Sequence, residues 1–191
     1  CHTNKTNTWA ASNTKKWYGE PTRFHFGETM FKAANGDSSA VELLMNVIDD
    51  ENTSALIRAS ATHYLGNFPS LETQNSTREL LKDKDALVRR EAIRNFTPTD
   101  LNDMKVSLLP LLGDFTLMIR MEAAYKLSSI NQSELDSISA YKLNNSINDY
   151  IMAMEYSADF AASRHNLGNV YSNIGQNKKA IENYLEAIRI D

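Results

Sequence analysis

A single cysteine, Cys1, in 191 residues rules out a disulfide within the chain and any CxxC metal site built wholly from it. Glycine is also scarce, with 7 residues scattered along the length, so no phosphate-cradling loop is present. P-loop, GxGxxG and GxSxG patterns are all missing. No apolar run approaches the roughly 18 residues of a membrane span, and the polar N-terminus has none of a signal peptide's apolar core. The formal net charge is −4, and no basic stripe or interleaved basic and aromatic run accompanies it, which argues against nucleic acid as a partner. Among His2, His25, His63 and His165 no two stand at the i, i+4 spacing of a helical metal site, and none accompanies a nucleophile motif. The chain is not expected to be an enzyme.

What the chain does have is hydrophobic content, 42%, enough for a core, and internal repetition. NTSALIRASATHYL from Asn52, DKDALVRREAIRNF from Asp83 and DFTLMIRMEAAYKL from Asp114 align without gaps at a period of 31. Matched columns hold Ile57, Val88 and Ile119; Arg58, Arg89 and Arg120; Ala61, Ala92 and Ala123; and Leu65, Phe96 and Leu127. An aliphatic residue, then alanine at +4 and a large apolar residue at +8, is one stripe of an amphipathic helix. Apolar-periodic stretches from Ala40, Leu71 and Leu101 precede these helices across short polar breaks, so the unit is a helical hairpin. Stacked hairpins bury a core that no single hairpin could.

The D-x-x-V-R-x-x-A pattern, clearest in DALVRREA from Asp85, resembles short HEAT-like repeats over residues 37–130. The resemblance implies that Arg58, Arg89 and Arg120 tie each hairpin to its neighbour. Beyond Ile130 the period changes. Leu167, Gly168, Tyr171, Gly175, Ala180, Tyr184 and Ala187 follow the small and large apolar spacing of the tetratricopeptide repeat, which that segment resembles. A degenerate repeat of the same type is expected before it, with its first helix near residues 134–145 and Ser146, Tyr150 and Ala153 on its second. The groove of such a repeat is lined by first-helix residues, here Ala162, His165, Asn169, Ser172 and Asn173. Asn169 with His165 could hold a peptide backbone or terminal carboxylate, so these positions are the candidate partner-binding residues.

The first segment, CHTNKTNTWAASNTKKWYGEPTRFHFGE, holds both tryptophans, Trp9 and Trp17, and is followed closely by Phe31. A helix over 5–18, stopped by Gly19, and an aromatic loop with Phe24 and Phe26 are expected, covering either the open end of the first hairpin or a flat apolar cofactor. The order Cys1-His2, Lys5, Trp9, Ala10, Trp17-Tyr18-Gly19 and His25-Phe26 resembles the region after the last haem motif of multihaem c-type cytochromes that carry HEAT-like and tetratricopeptide repeats. That resemblance implies that Cys1 and His2 are the second cysteine and axial ligand of a CxxCH haem c site. The first cysteine would then lie three residues upstream of this chain, and His25 becomes a candidate ligand. It also implies an exported, periplasmic parent with a redox partner; the competing reading is a plain repeat adaptor or lipoprotein without haem. The expected fold is an all-α right-handed solenoid: haem-motif remnant, Trp-rich helix and aromatic loop over 1–36, HEAT-like repeats over 37–130, and a tetratricopeptide region over 131–191.

Overall fold

The computed structural model describes residues 2–20 and 25–191, and all regular structure there is helical. Helix α1 (Asn7–Tyr18) starts at Thr6, whose hydroxyl accepts from the Trp9 N–H at 3.1 Å, and stops at Gly19, where φ of 80° needs glycine. It carries no buried residue. Where an aromatic loop was expected there is instead a helix, α2 (Phe26–Ala34). Its sequence FGETMFKAA sets Phe26, Met30 and Ala33 at i, i+4 and i+7, and this stripe packs on the core formed with the next hairpin. The end of the first hairpin is thus covered by α2, while α1 remains without a buried face.

Three hairpins follow. Helices α3 (Ala40–Asp49) and α4 (Ala55–Leu65) form the first, and α5 (Leu71–Leu80) and α6 (Ala86–Asn95) the second. In the third, α7 (Leu101–Leu108) tightens into a 3-10 turn over Leu109–Gly113 before α8 (Leu117–Leu127). Pro110 explains the tightening: it has no N–H to donate back to residue 106, so the α-helical ladder cannot continue. The second helices stack on one another, α4 on α6 and α6 on α8. Ala61, Ala92 and Ala123 are fully buried where they meet, and Leu65, Phe96 and Leu127 lie beneath. A larger residue in the alanine column would hold the helices apart.

Two ladders of polar contacts join the repeats. At the start of the second helices, Arg58 donates to the Ile48 carbonyl at 2.6 Å and pairs with Asp83, 25 residues on. Arg89 repeats the step, donating to the Asp83 carbonyl at 2.8 Å and pairing with Asp114 at 2.9 Å. Arg120 donates to the Asp114 carbonyl at 2.8 Å and to the Phe115 carbonyl at 3.3 Å. The position 25 residues beyond it is Asn145, so this ladder ends without a carboxylate. Each aspartate also accepts a backbone N–H of its own loop, Asp83 from Asp85 and Asp114 from Thr116, both at 2.8 Å. At the other end, Asn95 donates to the Thr62 carbonyl at 2.5 Å. The matching residue of the next repeat, Lys126, donates to the carbonyls of Arg94 and Phe96 at 3.0 and 2.9 Å. Burial pushes the Lys126 ammonium below the ordinary lysine pKa, against the opposing pull of Glu122.

After a 3-10 turn, residues 137–156 form a single 20-residue helix, α9 (Ser137–Tyr156), and not the degenerate hairpin the repeat spacing suggested. Asp136 caps it, accepting N–H bonds from Ile138 and Ser139 at 3.0 Å each. No glycine or proline occurs between them and Tyr156, so nothing breaks the helix at Asn145. Helices α10 (Ala161–Asn173) and α11 (Asn177–Ile190) then form a tight hairpin about Gly175, with φ of 77°. Gly168 is required for close approach: a Cβ there would run into the Tyr184 ring. Most of the buried apolar residues, from Ala33 to Val170, form one continuous core, and Leu167, Tyr171 and Ala180 make a second cluster inside the last hairpin. The result is an α-solenoid of stacked helices.

Candidate protein-binding face

The core uses one stripe of each second helix, and the stripe next to it borders the solvent, more open on α4 and α6 than on α8. On α4 this neighbouring stripe is Leu56, Ser60 and His63; on α6 it is Leu87, Glu91 and Arg94; on α8 it is Met118, Glu122 and Tyr125. Successive members of each column are 31 residues apart, so the repeat stacks them side by side. Leu56 and Leu87 are exposed and begin an apolar ledge at the first turns of their helices, which Met118 continues. Between α4 and α6 runs a furrow of about 340 Å³, walled by Leu56, Tyr64 and Leu87 and bordered by His63, Arg90 and Arg94. A second hollow of about 280 Å³ shares Arg90 and Arg94 with it and lies where α6 and α8 meet α9 and α10, at Glu122, Tyr125, Tyr150 and Asn166.

Ion pairs hold the floor of this furrow. His63 Nδ1 lies 3.2 Å from one oxygen of Glu91, and the other oxygen has Arg94 at 3.5 Å and Arg90 at 3.7 Å. Arg90 Nε donates to Glu122 at 3.0 Å. At the far end the Tyr125 and Tyr150 rings stack with centroids 5.0 Å apart. Burial raises the Tyr150 phenol above its ordinary pKa, with smaller contributions from Tyr125 and Glu122, so it stays neutral and able to donate. Among the described residues no group of three or more His, Cys, Asp or Glu is placed to hold a metal ion.

The four residues singled out on α10 sit at the end of this face and have two different situations. Asn169 is engaged within the chain: its amide nitrogen donates to the Tyr125 hydroxyl at 3.1 Å and its oxygen accepts from Tyr184 at 2.8 Å. Asn173 donates to the Ser128 hydroxyl at 2.8 Å. Both asparagines thereby tie α10 to α8. His165 and Ser172 are exposed, with His165 3.4 Å from the Asn169 amide and its ring beside Tyr184. A partner seated on α10 would meet His165, Ser172 and the exposed Asn173, and would have to exchange bonds to use either amide.

The histidines of the first segment also differ from each other. His2 is exposed, its ring 5.0 Å from Trp9, with the Lys5 ammonium 5.5 Å from the same indole. Cys1 and Phe24 lie outside the described residues. His25 is the N-cap of α2: its Nδ1 accepts from the Gly27 N–H at 3.0 Å, and its ring stacks on Phe26 at 4.4 Å. Accepting at Nδ1 puts the proton of a neutral imidazole on Nε2. Binding iron through Nε2 would require that proton to move and the cap to break. In this conformation His25 therefore serves the helix, whereas His2 is open to a ligand role.

From the sequence the HEAT-like face near His63 was only the alternative to the α10 groove, and none of its residues was a candidate, although its columns were already aligned there. The overlooked signal was Leu56, Leu87 and Met118, an apolar column immediately ahead of the core column.

Comparison with known families finds a tetratricopeptide repeat match over residues 161–191, the α10–α11 hairpin. No curated protein and no solved structure matches the chain. The chain therefore carries a tetratricopeptide-type repeat at the end of an all-helical solenoid, a class of architecture that commonly serves as a protein-interaction scaffold. No helix among the described residues is long and apolar enough to cross a membrane.

Proposed function

We propose that this chain is a non-catalytic interaction region whose working surface is the solvent face of α4, α6 and α8. The observation that carries this reading is the furrow between α4 and α6, with exposed Leu56 and Leu87 beside the outward-facing Arg94, and the adjoining hollow at Tyr125 and Tyr150. A photocrosslinking residue at Ser60, inside the furrow, should trap another polypeptide in the producing cell, whereas one at Leu101 on α7 should not. Crosslinks from Leu101 alone would move the surface to the other side of the solenoid.

We propose further that the parent is an exported multihaem c-type cytochrome in which Cys1 and His2 complete the last CxxCH site. Support comes from the order of Cys1-His2, Trp9, Trp17-Tyr18-Gly19 and His25-Phe26, and from α1, on which Trp17 and Tyr18 are exposed. Haem c bound there would supply electron transfer; this chain's part would be the thioether cysteine, the His2 imidazole and an indole beside it. The interaction region would then hold a redox partner near that haem. In the full-length parent, His2→Ala should remove one low-spin haem, read by haem-stained electrophoresis and visible absorption. Haem content equal to wild type would return the chain to a plain repeat adaptor or lipoprotein.

A further inference from the structure

Resting on the scaffold reading above, we propose that the α4–α6 furrow, with the adjoining face of α8, docks an extended acidic peptide segment that carries a large aliphatic anchor residue. The anchor follows from the ledge. Leu56 and Leu87 are 64% and 39% exposed at the first turns of neighbouring helices, and the furrow between them has room for one such side chain.

The charge follows from which groups face outward. The Glu91 and Glu122 side chains are only 13% and 20% exposed and are turned into ion pairs, while His63 and Arg94 are 61% and 50% exposed above them. Carboxylates lie underneath and the Arg94 guanidinium on top, in a chain whose net charge is −4. A passing segment therefore meets the Arg94 guanidinium with N–H donors to spare, next to apolar surface. That combination suits a carboxylate beside an aliphatic residue. It does not suit a phosphodiester backbone, which needs a run of cations uninterrupted by leucines. Three helices in a row span about 20 Å between outer axes at the usual spacing, so this face holds about six residues of extended chain.

The test starts from a display library of random peptides of about eight residues, selected on the full chain and then measured one by one by fluorescence anisotropy. The selected peptides should pair Asp or Glu with Leu, Ile or Met. Arg94→Glu and Leu87→Ser, both at exposed positions, should each weaken binding about 10-fold with the helical circular dichroism unchanged. Arg94→Glu should also gain affinity for the same peptide with its acid changed to lysine. Selected peptides that are basic, or that ignore both substitutions, overturn this proposal and leave the scaffold reading standing on another face. A wild-type dimer that Arg94→Glu dissolves, with no peptide selected, overturns it in favour of self-association. Failure to select any peptide, together with no crosslink from Ser60, overturns both.

Discussion

Arg58, Arg89 and Arg120 occupy one column of the repeat but have different partners, and their removal should therefore have unequal consequences. The Arg58 and Asp83 side chains are 9% and 8% exposed, and Arg58 also donates to the Ile48 carbonyl. Arg58→Ala would leave the Asp83 carboxylate buried with only the Asp85 N–H as a partner, 2.8 Å away. Stranding a buried charge in this way costs about 3–5 kcal/mol. Arg120→Ala strands no charge, because Arg120 touches only the carbonyls of Asp114 and Phe115, so its loss should cost about 1–2 kcal/mol. Arg89→Ala strands Asp114, 11% exposed, in the same way, and should cost about as much as Arg58→Ala.

The same geometry makes a second claim. Removing both members of the first pair, as Arg58→Met with Asp83→Leu, takes away the buried charge along with its partner, so the double variant should be more stable than Arg58→Ala alone. Urea unfolding followed by circular dichroism measures each variant, with hydrogen exchange locating the loss in α4 and the loop after α5. An Arg120→Ala cost equal to that of Arg58→Ala would refute the carboxylate argument. So would a double variant whose cost is the sum of the two single ones.

Gly168→Ala should destabilise the C-terminal hairpin by about 1–3 kcal/mol, since the new methyl group meets a Tyr184 ring held in place by its bond to Asn169; hydrogen exchange in α10 and α11 should quicken, and unchanged exchange would place Tyr184 elsewhere. Tyr125→Phe keeps the stack on Tyr150 and deletes only the acceptor for Asn169, so the α8–α10 junction should weaken by about 0.5–1.5 kcal/mol, measured by thermal melting. The Asp103 carboxyl is pulled from its ordinary 3.8 down to about 2 by the hydrogen bond from Arg78 and then by the Thr99 N–H. A carboxyl with a lowered folded pKa adds stability above its unfolded value, and that share is lost as pH falls from about 4 toward 2. Arg78→Ala should move the Asp103 titration back toward 3.8 in carbon-13 spectra, and a titration unmoved from about 2 would deny Arg78 its leading part.

The hairpins of residues 40–127 were legible because period 31 and period 3.6 agree there: the aligned columns of the second helices at 57, 61 and 65 are apolar, and Asp, Ser or Thr stands at each break, with Ser70, Asp85 and Asp100 capping α5, α6 and α7. Gly168 and Gly175 made the last hairpin legible for the same reason, each glycine standing where only glycine fits. Helix α2 was hidden by its aromatics, which read as a loop although Phe26, Met30 and Ala33 carry helical spacing. The long helix α9 was hidden by an expectation of repetition, where the absence of any breaker between Ser137 and Tyr156 was the better guide. On α10, Asn169 and Asn173 match the groove positions of a tetratricopeptide repeat. What no repeat pattern reveals is that the preceding hairpin brings Tyr125 and Ser128 to them. Pairings across 44 and 45 residues depend on how the two repeat types join, and the junction has no periodicity of its own.

The three arginines of α6 show how the structural contacts bound the functional ones. Arg89 is consumed by the ladder to Asp114, and Arg90 reaches Glu122 of the next repeat at 3.0 Å. Arg94, one turn further on, has only the distant oxygen of Glu91 at 3.5 Å, and Glu91 already serves His63. Its position in the column is taken by His63 before it and by Tyr125 after it, and the one repeat tie at this residue, from Lys126, uses its backbone carbonyl and leaves the guanidinium out. Holding the hairpins together therefore accounts for Arg89 and Arg90 and leaves Arg94 over. A guanidinium that the fold does not use, placed between two exposed leucines and a tyrosine pair, is the group on which the binding surface should depend.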